Sequence, residues 1–277
     1  MQGKPMDTLE QKAAKLRDRL DELGRVAVAF SGGVDSTLLL RVAHDTLGDQ
    51  VVAFTLSLHS TPARESDAAR EFCQANGIRQ VVIEFDELSI PGFRENPPDR
   101  CYWCKRNIFT TMLATADEQG FGHLVEGSNV DDLDDYRPGS RAIRELGVAS
   151  PLLEAGFTKA DVRALSQRLG LPTWNKPSAA CLASRFAYGE PITDAGLARV
   201  DAAETFLRDM GFGQARVRVH GTLARIEVSP DRIEKLAAEP LRSAVLQHLK
   251  ELGFSYITLD LAGYRTGSMN EALTNTR

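Results

Sequence analysis

RVAVAFSGGVDSTLLLRVAHDTLG, residues 25–48, decides how the rest of the chain is read. RVAVAF (25–30) is a short β-branched run that predicts a buried strand. It runs straight into SGGVDS (31–36), a glycine turn, and then into a helical segment carrying Leu38, Leu39 and Leu40. Two glycines let backbone approach a bound anion closely. The free N–H groups at the start of the following helix would point at that anion, aided by the helix dipole. Ser31, Gly32, Gly33, Asp35, Ser36 and Thr37 are therefore candidate phosphate-binding residues, with Asp35 also able to orient a metal or the helix start. An ordinary capped turn is the plainer alternative. The string is not the GxxxxGK[ST] loop of kinases and GTPases, and no lysine stands in it to act on a γ-phosphate.

Working outward, the same rhythm repeats. Leu9, Leu16, Leu20 and Leu23 sit at helical spacing before the first strand. QVVAFTLSL (50–58) predicts a second strand, SDAAREFCQANG (66–77) lies on a helix, and RQVVIEF (79–85) predicts a third strand. HLVEGSN (123–129) and the helix TKADVRALSQRLG (158–170) continue the alternation. This predicts an α/β fold with a mostly parallel sheet and helices on both faces. Near residue 190 the pattern changes. A helix at 194–211 leads to ARVRVHG (215–221) and ARIEVSP (224–230), which alternate like two half-exposed antiparallel strands. A helix over roughly 231–251 and a strand YITLDLAGY (256–264) follow. The expected organisation is one domain over 1–190 and a smaller α/β domain over 191–277. The segment 87–100, ELSIPGFRENPPDR, reads as irregular, with three of the chain's 12 prolines.

Composition narrows the function classes. The 277 residues are 43% apolar and 26% charged, which excludes a disordered or fibrous chain. A net charge of −5 argues against broad nucleic-acid binding. No apolar run approaches the roughly 18–20 residues needed to span a bilayer, so no membrane partner is expected. The N-terminus is charged throughout and shows no secretory apolar region, so a cytoplasmic location is expected. Four cysteines are too few for a disulfide scaffold at this length.

Three of those cysteines are candidate ligands. Cys101 and Cys104 form a CxxC pair, and Cys181 lies about eighty residues on. Three thiolates with an open position suit a 4Fe-4S cluster, while a redox pair, a partial zinc site or buried thiols remain alternatives. Cys73, within EFCQANG, reads as a small core residue. GSNVDDLDDYRPG (127–139) places four aspartates in five positions, with Asp131 and Asp132 as candidate Mg2+ ligands, or else a solvated acidic turn. Arg216, Arg218 and His220 alternate on one strand face, Arg225 and Glu227 stand on the next strand, and YRTGSMN supplies Arg265 and Asn270. Such arginines clamp phosphate or carboxylate bidentately, or else pair with Glu204 or Glu227.

SGGVDS resembles the PP-loop, the pyrophosphate-binding loop of enzymes that adenylate a substrate, such as GMP synthetase, asparagine synthetase and tRNA thiolation enzymes. Taken with NPPDRCYWCK, EGSNVDDLDDYRPG, WNKPSAACLASRFAYG, RVRVHGTLARIE and LDLAGYRTGSMN, the chain resembles the LarE family from about residue 8 to 272. These are ATP-dependent pyridinium-3,5-biscarboxylic acid mononucleotide sulfurtransferases of nickel-pincer nucleotide biosynthesis. The resemblance implies an adenine nucleotide alpha hydrolase-like fold and adenylation of the mononucleotide's carboxylate, with release of pyrophosphate and formation of a thiocarboxylate. It implies ATP and Mg2+ as cofactors and assembly of like subunits, and leaves the sulfide donor unnamed. Arg216, Arg218 and Arg265 would hold the substrate, and Arg185 would sit near the acyl-adenylate. In sacrificial members one cysteine, five residues before the arginine of SRF, gives up its own sulfur. Here that position is Ala180, and the cysteine stands one place later at Cys181. Three-cysteine members hold a 4Fe-4S cluster, and the CxxC pair aligns this chain with them, Cys101, Cys104 and Cys181 being the ligands. The alternatives are sulfur transfer from Cys181 itself, a PP-loop tRNA thiolase, or a non-catalytic nucleotide-binding module.

Overall fold

The alternating burial of β1 (Val26–Ala29) sets the architecture. Val26 and Val28 join one apolar cluster, and Ala27 joins another on the opposite face. A computed structural model describes residues 8–133, 138–177 and 180–265. They form two compact units, the first from residues 1–86 and 101–179, the second from 87–100 and 180–277.

The first unit opens with α1 (Leu9–Leu23), entered through a capping box between Thr8 and Gln11. After β1 come α2 (Val34–Leu47), β2 (Val51–Ser57), α3 (Ala63–Ala75), β3 (Gln80–Glu84), α4 (Arg100–Glu118) and β4 (His123–Val125). Then α5 (Pro138–Glu145), the short α6 (Pro151–Glu154) and α7 (Lys159–Arg168) follow. The strands lie in the order β3-β2-β1-β4 and every pair is parallel, as the β-α-β rhythm predicts. Leu16 and Leu20 of α1, Leu38 to Leu40 of α2, Phe72 and Cys73 of α3 and Val162 of α7 cover one face. Ile108, Phe109 and Met112 of α4 with Ile143 of α5 cover the other. Each fully buried aliphatic side chain contributes about 1.5–3 kcal/mol, so a sheet covered twice is self-sufficient. Cys73 is 1% exposed, as expected of a core thiol, and burial pushes its pKa up to about 11.

The second unit contains α8 (Asp194–Asp209), β5 (Ala215–His220), β6 (Leu223–Val228), α9 (Ile233–Ala237), α10 (Leu241–Glu251) and β7 (Tyr256–Leu259). β5 and β6 are antiparallel, and β6 and β7 parallel. Three expectations are corrected here. β5 is buried at five consecutive positions rather than half-exposed, because α8 and the turn at Leu182–Arg185 cover it. The helix expected over 231–251 is interrupted, because Pro240 cannot continue a helix. The last strand ends at Leu259.

Residues 87–100 belong to the second unit through specific bonds. Asn96 is fully buried at φ 53°, and its Nδ2 donates to the carbonyls of Phe186 (3.2 Å) and Ala187 (2.7 Å). Arg100 donates to Asn96 Oδ1 and, at 3.0 Å, to the Ala183 carbonyl.

Candidate active site

The loop between β1 and α2 is stiff and closely lined. The Phe30 amide donates to the Phe54 carbonyl at 2.8 Å, carrying the end of β1 into the turn. Gly32 has φ 68°, and a Cβ there would stand 3.4 Å from Ala69 Cβ of α3. Glycine thus meets both a left-handed backbone and a wall. The hydroxyls of Ser31 and Ser36 are 3.1 Å apart, and the Ser31 amide donates to Ser36 Oγ at 3.3 Å. Ser31 is exposed, whereas Thr37 is fully buried, and its hydroxyl has no partner among the described residues. Gly33 is the N-cap of α2, so the first free N–H groups of that helix open beside it.

The turn after β4 seats on the start of α2. A Cβ on Gly127 would come within 3.0 Å of the Ser36 amide nitrogen. Glu126 fixes this turn by accepting from the Ser128 amide (3.0 Å) and hydroxyl (2.9 Å), and from the Ser150 hydroxyl. Asn129 Nδ2 then reaches Asp35 Oδ1 at 3.0 Å. Asp131 and Asp132 stand on the same turn. One oxygen of Asp131 accepts from the Lys159 amide, and one oxygen of Asp132 from the Asn129 amide, both at 2.9 Å. Asp134 and Asp135 lie outside the described residues.

Two lysines that the loop motif does not contain arrive from far along the chain. Lys159 Nζ is 2.5 Å from Asp35 Oδ2. Lys176 Nζ donates to the Gly32 carbonyl at 3.0 Å and pairs with Glu65 of α3 at 2.6 Å. The sequence reading missed both lysines and Asn129, because local motifs carry no record of pairings that span more than a hundred residues.

Cys101 and Cys104 occupy the first turn of α4, three residues apart and so on one side of it, Cys101 exposed and Cys104 partly buried. The turn is held rigidly. Arg141 stacks 3.8 Å over Tyr102, whose hydroxyl bonds Glu145 at 2.5 Å. A Cβ on Gly139 would meet Lys105 Cγ at 2.8 Å.

In the second unit, Cys181 is exposed and immediately precedes the turn Leu182–Arg185. Arg185 is 2% exposed. Its Nε and one terminal nitrogen take both oxygens of Glu204 on α8, at 2.8 and 2.9 Å. The other terminal nitrogen donates to the carbonyls of Ala180 (2.9 Å) and Cys181 (3.2 Å) and to Ser184 Oγ (2.9 Å). The guanidinium is thus fully engaged within the protein and fixes the backbone that carries Cys181. Glu204 Oε1 also accepts from the Val217 amide at 3.0 Å. Burial pushes the Glu204 carboxyl up, but the Arg185 bonds and the charges of Arg185 and Arg216 outweigh it and hold it below the usual range.

Arg218 forms a second bidentate pair, with Glu227 at 3.0 Å through both oxygens, and donates to the Ser184 carbonyl at 2.8 Å. Arg225 adds to Glu227 at 3.1 Å, so the pairing weighed for these arginines is present, buried rather than on the surface. Arg216 lies 5.2 Å over the Tyr264 ring, its pKa lowered by burial and by the like charge of Arg185. Arg265 is exposed, and Asn270 lies outside the described residues.

The parallel sheet, the glycine loop opening a helix and the buttressed Asp35 define a PP-loop ATP-using α/β enzyme. Residues 11–96 match the Asparagine synthase family model. The chain is 42% identical over 270 residues to the pyridinium-3,5-bisthiocarboxylic acid mononucleotide synthase of Lactiplantibacillus plantarum, covering 97% of each chain. It is 43% identical over 266 residues to an uncharacterized protein of Synechocystis, covering 96% of this chain and 99% of the relative. A tRNA-specific 2-thiouridylase of Azorhizobium caulinodans matches at 33% over 193 residues, 55% of this chain and 49% of that one. The chain belongs to the LarE family of PP-loop proteins, that of the bisthiocarboxylic acid mononucleotide synthase. None of the described helices is long and apolar enough to cross a membrane.

Proposed function

We propose that this chain uses ATP to adenylate a carboxylate of pyridinium-3,5-biscarboxylic acid mononucleotide, releases pyrophosphate, and inserts sulfur to form a thiocarboxylate on the route to the nickel-pincer nucleotide. The observation that carries this reading is full-length likeness to the synthase, joined to a phosphate loop built as adenylation requires. A carboxylate resists attack because its leaving group would be oxide; adenylation makes AMP the leaving group instead. The helix N-terminus and loop amides then bind the pyrophosphate that departs. Mg2+ enters on ATP phosphates and needs only one or two protein carboxylates, which suits the oxygen donors of Asp131 and Asp132 beside the turn that holds Asp35.

For the sulfur source we propose Cys101, Cys104 and Cys181 as ligands of a 4Fe-4S cluster. All three are free thiols and reach solvent, and two share one side of a helical turn, so the donor chemistry fits. Among the described residues no three His, Cys, Asp or Glu side chains are already gathered as a metal site. When bound, such a cluster supplies a sulfide that is not part of the protein. Arg185 fixes the Cys181 backbone, and Arg216, Arg218 and Arg265 are the proposed anion-binding groups for the mononucleotide. Assembly of like subunits is proposed on the family likeness, and light scattering tests it.

The test is anaerobic incubation with ATP, Mg2+, sulfide and the mononucleotide. Pyrophosphate and a thiocarboxylate should both appear. Pyrophosphate release dependent on tRNA instead would support the thiolase alternative.

A further inference from the structure

The phosphate loop carries no lysine of its own, and the fold brings one to its acid. Asp35 is the second residue of α2, at the helix end where an anion is favoured. Lys159 is the first residue of α7, 124 positions later in the chain. Its ammonium lies 2.5 Å from Asp35 Oδ2. The backbone beneath it is pinned on several sides. The Lys159 amide is held by Asp131. Thr158 closes a capping box with Asp161, and Asp161 is itself paired with Lys12 of α1 at 2.6 Å. The side chain is 37% exposed, so its tip is open to a ligand.

Ion pairs at such exposure contribute about 0–1 kcal/mol, which does not account for a lysine anchored this thoroughly beside a phosphate loop. We propose that Lys159 is the cation that binds the pyrophosphate portion of ATP and stabilises it as it departs. The inference rests on the adenylation reading above. In that step a carboxylate oxygen bonds to the α-phosphorus while the bond from that phosphorus to the α–β bridging oxygen breaks. The electron pair leaves on pyrophosphate, and no proton needs to move. A preplaced ammonium stabilises the growing charge without solvent reorganisation. Lys159 thereby serves the purpose of the lysine inside GxxxxGK[ST] loops, delivered by a different element. Lys176 acts otherwise: it grips a loop carbonyl and Glu65, and so positions the loop.

The experiment compares Lys159→Met, Lys159→Arg, Asp35→Asn and the Asp35→Asn/Lys159→Met double variant in the full-length protein. Readouts are ATP–pyrophosphate exchange with the mononucleotide present, inhibition by inorganic pyrophosphate, AMP affinity and melting temperature. Lys159→Met should slow exchange by about 100-fold or more and weaken pyrophosphate inhibition by a similar factor. AMP affinity should change less than about threefold, since AMP lacks the departing group. Lys159→Arg should recover much of the pyrophosphate inhibition because it keeps the charge. The double variant should fall at least about tenfold below Asp35→Asn alone. A double variant no slower than Asp35→Asn would overturn the proposal, leaving Lys159 as a structural partner of Asp35. So would unchanged pyrophosphate inhibition in Lys159→Met when the unaltered protein exchanges normally. No exchange in the unaltered protein would instead overturn the adenylation reading, and this proposal with it.

Discussion

Arg185 and Glu204 face each other through two hydrogen bonds of 2.8 and 2.9 Å, with side chains only 2% and 0% exposed. Losing one member of such a pair leaves a buried charge uncompensated, at a cost of about 3–5 kcal/mol. Arg185→Leu is therefore expected to destabilise the protein by that amount in urea unfolding. Arg185→Lys, which cannot span both carboxylate oxygens and the 180–184 carbonyls, should hold the fold better yet leave Cys181 less fixed. Its thiol-labelling kinetics at Cys181 should become broader or faster. Unchanged labelling would mean the turn is fixed without Arg185.

The same pair sets an acid limit. Glu204 is held below its ordinary range in the folded state, so its contribution is complete above the unfolded carboxylate range. That contribution is lost as pH falls through the lowered folded value. Glu204→Gln should thus show a smaller loss of stability between neutral pH and the acid side than the unaltered protein does. Parallel urea midpoints at several pH values check this; identical slopes count against it.

Gly127→Ala is expected to weaken ATP binding without a change at any predicted ligand. The added methyl would lie 3.0 Å from the Ser36 amide nitrogen, so the start of α2 must move. Gly33→Ala should be milder, because its nearest neighbour, Ser31 Oγ, is 3.4 Å away and its φ of −78° suits any residue. Gly33→Val should still abolish pyrophosphate release by placing bulk at the proposed phosphate site. Nucleotide titrations of the three variants give the order.

Cys101→Ser, Cys104→Ser and Cys181→Ser should each abolish sulfur transfer while pyrophosphate release continues, and each should strip iron. Cys73→Ala should cost only core packing, on the order of 1 kcal/mol or so. If sulfur came from Cys181 itself, only Cys181 would matter. The chain would then turn over once and emerge about 34 Da lighter, having lost H₂S from the cysteine. Iron content and intact mass after turnover separate the two.

Much of the first unit was legible because its signals are local. The β-branched run at Val26–Ala29, the leucines of α2 and the turn between them are consecutive in sequence. The second unit was harder to read. Arg216 and Arg218 look like solvent-facing residues of an alternating strand, yet each is less than 10% exposed. Their burial depends on α8 and on carboxylates at Glu204 and Glu227, and no periodicity records such pairing. Asn96 was equally opaque. Between Glu95 and two prolines it reads as a loop residue, and only the tertiary fold shows its amide binding a chain segment ninety residues away.

The bonds of Asn96 and Arg100 also impose an order on biosynthesis. Their partners begin at Ala183, more than eighty residues later. At ribosomal speeds of about 5–20 residues per second, the 87–100 strip waits several seconds for the chain that will enclose it. During that interval the buried asparagine and arginine have only water to bond. A nascent chain stalled before residue 180 would therefore display this strip as a ready site for chaperone capture, even with the parallel sheet already formed.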